Sequence, residues 1–171
     1  MDVEKIIQNF KMHYFRDEVT PMRDITEYHD FRAWGVEDGG KISGFGWIEH
    51  DISFSGAYMP LTRHSVGIIG AEEVMNSDLG YTTESVVAGV KYIERRDHSV
   101  RMLLEGEIPE TMLVERDAEG AIIFCGVQEG GQRHGLGVEF IYKGKGVVQH
   151  RGIWQHGVQT HCWEKGEFVK L

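Results

Sequence analysis

The sequence predicts a mainly β protein, an antiparallel meander of repeated β-hairpins with an N-terminal α-helix. The same glycine spacing occurs twice, in AWGVEDGGKISGFG over residues 33–46 and in FCGVQEGGQRHGLG over residues 124–137. Glycine supplies the positive φ that tight hairpin turns require, and unit spacings of about 20 to 26 residues suit two short strands with their turns. Such a meander forms an open twisted sheet or, alternatively, a closed barrel.

The first predicted element is a helix over residues 2–15. Asp2 can cap its N-terminus. Apolar side chains recur at helical spacing, at Val3, Ile6, Ile7, Phe10 and Tyr14. This pattern gives the helix one apolar face, which we expect to cover a face or an edge of the sheet. The charged segment 22–31 then predicts an irregular lead into the first strand.

Length and composition predict a single domain over residues 1–171, because 41% hydrophobic content in 171 residues is enough to build one core. We expect the first hairpin repeats over residues 32–59. Residues 60–103 break the hairpin rhythm and are predicted to be a divergent insertion, of a kind that often forms the edge of a binding face. Hairpin repeats resume over residues 104–171 and end with the chain.

The glycine units resemble MORN repeats, whose unit reads roughly Y-x-G-x-W-x-x-G-x-x-x-G-x-G. The best match is residues 124–137, in which Phe124 stands at the tyrosine position and all four glycine positions are filled. Partial matches lie at 33–46, which keeps the glycines without the aromatics, and at 150–157. The resemblance implies aromatic side chains that stack along the array and a surface for binding rather than a site for chemistry.

These features favour a non-enzymatic binding or scaffold protein that uses its hairpin array for association with a protein partner or with itself, for example as a homodimer. The alternative is a small β-barrel that binds a small apolar ligand in its lumen. In either case the side chains expected on the ligand or partner face are those of Tyr58, Phe124, His134, Tyr142 and Trp154.

No catalytic residue is predicted. Cys125 and His134 lie on opposite sides of a hairpin turn, where a thiolate and an imidazole could meet, but nothing in the sequence supplies an oxyanion hole. A hydrolase that uses this pair, or a pair of acidic side chains, is the enzymatic alternative.

No metal and no cofactor are predicted either. The candidate metal ligands among the nine histidines and two cysteines are His150, His156, His161 and Cys162. Their spacing matches no strong zinc pattern. The glycine pairs are followed by strand-like residues and not by a helix N-terminus that could hold a phosphate.

Charge and hydropathy argue against two classes of partner, nucleic acids and membranes. The formal net charge of −9 makes this an acidic protein that should not bind nucleic acid. No stretch approaches the roughly 20 apolar residues of a membrane-spanning helix, so no membrane insertion is expected. Because MDVEKIIQNF is acidic where a signal peptide is basic, and because the two cysteines form no CxxC pair, the expected compartment is the cytoplasm.

Overall fold

The structure is a computed structural model that describes residues 2–55, 61–69, 93–94, 100–103, 110–144 and 146–171. Within these residues the chain forms one short helix and twelve strands in two six-stranded sheets, which confirms the predicted mainly β, hairpin-rich class. The elements in chain order are α1 (Val3–Asn9), β1 (Phe10–Met22), β2 (Ile25–Asp38), β3 (Lys41–Phe54), β4 (Leu61–Ile69), β5 (Ile93–Glu94), β6 (Val100–Leu103), β7 (Met112–Arg116), β8 (Ile122–Glu129), β9 (Gln132–Lys143), β10 (Gly146–Gln155), β11 (Val158–Glu164) and β12 (Glu167–Lys170).

The N-terminal sheet has the strand order β1-β2-β3-β4-β6-β5. Its first four strands are consecutive antiparallel neighbours, as a meander requires. β6 pairs parallel with β4, so this part of the predicted insertion departs from the hairpin pattern. Much of that insertion, residues 70–92 and 95–99, lies outside the described residues.

The C-terminal sheet has the strand order β12-β11-β10-β9-β8-β7, in which every neighbouring pair is antiparallel. Both sheets are open, because within the described residues no ladder joins the first strand of either sheet to its last. The open form of the predicted meander is therefore the observed one, and the closed barrel is not formed.

The chain groups into two compact units. One consists of Met1–Gln8 with Gly106–Leu171, and the other of Asn9–Glu105. Each unit contains one of the sheets and buries its own apolar side chains, among them Phe31 and Trp47 in the N-terminal sheet and Phe124 in the C-terminal sheet. A single folding domain over the whole chain stays a prediction.

The predicted helix over residues 2–15 is too long. α1 begins as expected, because the Lys5 backbone N–H donates to Asp2 Oδ1 at 3.1 Å, but it ends at Asn9 and buries none of its side chains. β1 starts at Phe10, whose ring lies 4.9 Å from that of Trp47. A four-residue spacing keeps apolar side chains on one side of a strand as well as of a helix, so periodicity did not separate the two.

The lead segment predicted over residues 22–31 is also wrong, since β2 begins at Ile25 and pairs with β1 from its first residue. Arg23 and Asp24 make the turn between the two strands, and Asp24 has a positive φ of 66°. Asp is one of the few side chains that tolerate this conformation, so a tight turn forms here without glycine.

The two glycine-rich segments fold as the same kind of hairpin. The turn between β2 and β3 has positive φ at Gly39 and Gly40, and the turn between β8 and β9 has it at Gly130 and Gly131. Two consecutive residues with positive φ are typical of the type I′ turn, whose twist matches that of the flanking strands. In both hairpins the register then shifts close to the turn, between Trp34 and Val36 in β2 and between Gly126 and Gln128 in β8, so the sequence repeat gives two similar hairpins.

Candidate functional site

A continuous row of polar side chains crosses three strands on one face of the N-terminal sheet. Side chains alternate between the two faces of a strand, and the register aligns these residues between β1, β2 and β3. We call this surface the polar face; it consists of Tyr14, Arg16, Tyr28, Asp30, Arg32, Glu49 and Asp51.

Asp30 is the centre of the polar face. Arg16 donates to it through two nitrogens, Nε to Oδ1 at 2.8 Å and Nη2 to Oδ2 at 3.3 Å, and the Tyr14 hydroxyl donates to Oδ1 at 2.5 Å. The Arg16 hydrogen bonds lower the pKa of Asp30, and the bond to Asp30 raises the pKa of Tyr14. The Arg16 guanidinium also lies 5.0 Å from the centre of the Tyr28 ring. Asp30 on β2 thereby holds the side chains of Tyr14 and Arg16 on β1 in place.

Arg32 continues the row onto β3. Its Nη1 donates to Asp51 Oδ2 at 2.7 Å and lies 3.8 Å from Glu49 Oε2. The hydrogen bond to Asp51 raises the pKa of Arg32. The face therefore carries charges of both signs, two arginines and three carboxylates, which leaves it polar without a large field of one sign.

β1 is also the terminal strand of its sheet and is thirteen residues long. Within the described part of the chain its outer side carries no ladder. The side chains that project on the polar face are exposed from Met12 to Thr20, including Met12 at 41% and Tyr14 at 53%, whereas Phe10 at the start of the strand is buried. A long edge with exposed apolar and aromatic groups is a template for pairing with another strand, and many proteins blunt such edges.

Behind the polar face, a chain of buried titratable groups runs through the same strands. His29 is fully buried, its Nε2 lies 3.1 Å from Glu27 Oε2 and its Nδ1 lies 2.8 Å from His50 Nε2. Since the carboxylate accepts, His29 carries its proton on Nε2, and Nδ1 then accepts from the His50 Nε2–H. The His50 ring stacks on Phe31 at 4.3 Å. We call Glu27, His29 and His50 the buried relay.

The buried relay joins β2 to β3, and the two histidine nitrogens, 2.8 Å apart, lie too close together to bind the same metal ion. Ligand nitrogens around one tetrahedral zinc ion, each about 2.0–2.1 Å from the metal, are farther apart than a hydrogen-bonded nitrogen pair. Among the residues that the structure describes, no group of three or more His, Cys, Asp or Glu is placed to hold a metal ion.

Of the residues expected on a ligand or partner face, two form packing in the C-terminal sheet. Phe124 and Trp154 are 0% and 2% exposed, and their rings meet edge to face at 5.1 Å. A Cβ added to Gly137 would lie 2.5 Å from Phe124 Cζ, and one added to Gly126 would lie 2.6 Å from Gly137 Cα. The glycines of the repeat therefore make room for the aromatic ring.

Arg133 covers the outer side of that ring. Its guanidinium lies 4.2 Å from the Phe124 ring centre and donates to Glu115 at 3.0 and 3.1 Å and to Glu139 at 2.6 Å. Burial works to lower the pKa of Arg133, but the hydrogen bonds to the two carboxylates raise it overall. Arg133 therefore joins β7 and β9 through two carboxylates.

The remaining predicted face residues are not brought together with Phe124 and Trp154. Tyr142 lies on the opposite side of the sheet by strand alternation, is 41% exposed, and donates its hydroxyl to the Ile122 carbonyl oxygen at 2.8 Å. His134 is buried beside a turn. Tyr58 lies outside the described residues. Of the predicted residues that the structure describes, Tyr142 alone offers a large surface to a partner.

The Cys125 and His134 pair is not assembled for nucleophilic chemistry. Cys125 is fully buried, and this burial raises the pKa of its thiol to about 12, so the thiol keeps its proton near neutral pH. His134 is engaged elsewhere: its Nδ1 accepts from the His156 backbone N–H at 3.0 Å and its Nε2 lies 3.2 Å from Glu129 Oε2. The ring holds the turn between β10 and β11.

The four candidate metal ligands point in different directions. His150 is exposed and 3.9 Å from Glu139, while the ring of the exposed His156 lies 4.6 Å from that of His134 at a tilt of 49°. His161 is buried, pairs with Ile153 in the register and hydrogen-bonds Thr160. Cys162 is half-buried and pairs with Gly152, on the face opposite that of His161.

Sequence reasoning missed the polar face and the buried relay. The stretch YHDFRAW over residues 28–34 alternates polar and buried side chains, which is the signal for a strand with one solvated face. The helix predicted over residues 2–15 contains Tyr14, so the sequence does not show its hydrogen bond to Asp30 on the next strand. His29 and His50 are 21 residues apart, and only the register of the hairpin joins them.

Comparisons with models of protein families, with curated proteins and with solved structures find no match for this chain. No helix among the described residues has the length and apolar character needed to cross a membrane.

Proposed function

We propose that this protein is a non-enzymatic association module that binds an extended protein segment, from a partner or from another copy, along β1 and the polar face. The observation that carries the proposal is the thirteen-residue terminal strand whose outward side chains are exposed and held in place by the next strand. A strand added to a sheet edge gains main-chain hydrogen bonds, and alternate side chains supply specificity.

The composition of the surface supports a protein as the ligand. Tyr and Arg are enriched in protein interfaces, because they combine a large contact area with directed hydrogen bonds. Here Tyr14, Arg16 and Tyr28 stand side by side at the edge, and Asp30 fixes the first two of them. Since this geometry exists before binding, little side-chain entropy is lost when a partner docks.

The C-terminal sheet serves in this proposal as a MORN-like scaffold. The packing of Phe124 over Gly126 and Gly137 and the hairpin turn at Gly131 support the resemblance over residues 124–137. We also place the protein in the cytoplasm; two free thiols, one buried, support a reducing compartment. The small-ligand alternative depended on a barrel lumen, which the open sheets do not provide.

The direct test is the association state of the purified chain, followed by light scattering over a wide concentration series. We expect concentration-dependent assembly. Met12→Glu, at an exposed position of β1, should change the dissociation constant by about tenfold, because charges that face each other across paired strands attract or repel.

Val158→Glu is the matched control, since Val158 is a 65% exposed apolar residue in a strand of the other sheet. We expect this variant to assemble like the wild type. Assembly that responds equally to both substitutions, or a wild type that stays monomeric at every concentration, would contradict the proposal.

A further inference from the structure

The sequence of β1 carries information about what can pair with it. Exposed side chains at alternate positions carry an apolar group, an aromatic ring, a positive charge, a negative charge and a hydroxyl group in turn, at Met12, Tyr14, Arg16, Glu18 and Thr20. Such a strand can be complementary to its own copy when the two run antiparallel, because a two-fold axis then presents each pair of residues twice.

We propose that β1 pairs antiparallel with β1 of a second copy around a two-fold axis at Phe15, an inference that rests on the proposed function. The polar faces of both copies then lie on the same side of one continuous sheet, since residues of equal parity face each other. The facing pairs, each residue with its counterpart in the other copy, are Phe10 with Thr20, Lys11 with Val19, Met12 with Glu18, His13 with Asp17, and Tyr14 with Arg16.

This register is the most complementary of the neighbouring ones. It sets Tyr14 opposite the partner's Arg16, within reach of a cation–π contact, and places no two like charges opposite each other. His13, which already lies 2.8 Å from Glu37, faces an acidic residue of the other copy. The ladder ends at Thr20, so Pro21, which has no N–H to donate, stays outside it.

The neighbouring registers are poorer. A shift of one step toward the C-terminus places Arg16 opposite the partner's Arg16 and brings Pro21 into the ladder, opposite the partner's Lys11. A further step places Asp17 opposite the partner's Asp17. Like charges directly opposite each other destabilise a strand pair. A shift toward the N-terminus avoids these clashes but sets Tyr14 opposite itself and ends the ladder at Glu18, which shortens it.

The first test compares a negative with a positive charge introduced at position 12. Because Met12 faces the partner's Glu18, Met12→Glu should weaken assembly by about tenfold whereas Met12→Lys should keep or strengthen it. In the register shifted toward the N-terminus, Met12 faces the partner's Arg16 and the two effects change sign. The opposite sign would therefore overturn this register while leaving association through β1 intact.

The second test reads the register by disulfide formation, in a background that carries Cys162→Ser. Equal amounts of Tyr14→Cys and Arg16→Cys chains are mixed and oxidised. Facing residues have Cβ atoms about 4.5–5.5 Å apart, against about 7–8 Å on the diagonal, so the mixed disulfide should exceed either symmetric one about tenfold. A dominant symmetric Tyr14→Cys or Arg16→Cys dimer would overturn the register.

Met12→Cys mixed with Glu18→Cys provides a second pair, which removes no hydrogen bond to Asp30 and should again give the mixed disulfide. Far-ultraviolet circular dichroism confirms that each variant is folded. If the wild type assembles with a response at position 12 but neither mixture gives a mixed disulfide, the register fails and the proposed function stands. If the wild type is monomeric, both fail.

Discussion

The hairpins β2–β3 and β8–β9 share one turn and one register shift, but their strands differ. Where β8 and β9 carry Phe124 beneath the Arg133 guanidinium, the matching positions of β2 and β3 carry Ala33 and Ile42. The C-terminal hairpin fills the space beside its glycines with an aromatic ring and a half-buried ion cluster. The N-terminal hairpin carries no aromatic ring at the position that matches Phe124.

The terminal strands of the two sheets also differ, in their length. β12, at the end of the C-terminal sheet, has four residues, whereas β1 has thirteen. A short edge is one of the ways in which proteins prevent unwanted pairing, and a long exposed one invites it. The comparison teaches that the glycine pattern accompanies the turns and the close packing, while the edge that we propose for association, β1, lies outside that pattern.

The largest effect should come from filling the space beside Phe124. Gly137→Ala places a methyl group 2.5 Å from the ring and should lower the free energy of unfolding by about 3 kcal/mol, since a closely packed core cannot move aside. Gly146→Ala is the control: its nearest neighbour is the Lys143 carbonyl oxygen at 3.7 Å, so a change within about 0.5 kcal/mol is expected. Equal losses in urea titrations would show that the ring does not depend on this glycine.

A smaller loss is expected from the buried relay. His50→Phe keeps a flat ring against Phe31 but removes the nitrogen that meets His29, which should cost about 2 kcal/mol, the penalty of an unmatched buried polar group. Tyr142→Phe removes a single hydroxyl in the C-terminal sheet and should cost about 0.5 kcal/mol. If His50→Phe is as mild as Tyr142→Phe in urea titrations, the relay contributes little to stability.

The fold was predictable from the sequence because hairpin turns have strict local requirements. Glycine at the second turn position determines a type I′ turn, and the chain repeats it at Gly40 and Gly131. The polar face and the buried relay were not predictable, because both depend on register. Without the shift in β3, His29 would face His50 directly; with it, His50 faces Phe31 and stacks on it.

The start of β1 could not be predicted from the local sequence either. Phe10 and Tyr14 fit a helix and a strand equally well, and only the pairing with β2 decides between them. Local periodicity reports which side chains share a face, whereas the type of element and its neighbours follow from tertiary contacts.

The polar face should give a smaller effect on stability than the buried relay, and one that depends on pH. Asp30→Asn removes the carboxylate between Tyr14 and Arg16 and should cost about 1 kcal/mol at neutral pH. Because the folded-state pKa of Asp30 lies below its unfolded value, its contribution is present above the unfolded pKa of about 4 and is lost as the pH falls through the folded pKa. The variant should therefore lose less stability on acidification than the wild type.

Asp24→Asn is the control for this measurement. Asp24 is 92% exposed and lies 4.0 Å from an equally exposed Arg23, so its substitution should leave the pH profile unchanged. If the stability of Asp30→Asn depends on pH as strongly as that of the wild type, the Arg16–Asp30 ion pair is screened by solvent.

Hydrogen–deuterium exchange along β1 and β12 tests the central claim, that the long edge of the N-terminal sheet is the surface through which the protein associates. Amides on the outer side of a free edge strand exchange fast, whereas those in a strand pair are protected. We expect the outer amides of β1 to be protected in concentrated protein and to exchange rapidly on dilution, while those of β12 exchange alike at both concentrations. Rapid exchange of the outer β1 amides at every concentration would contradict association through this edge.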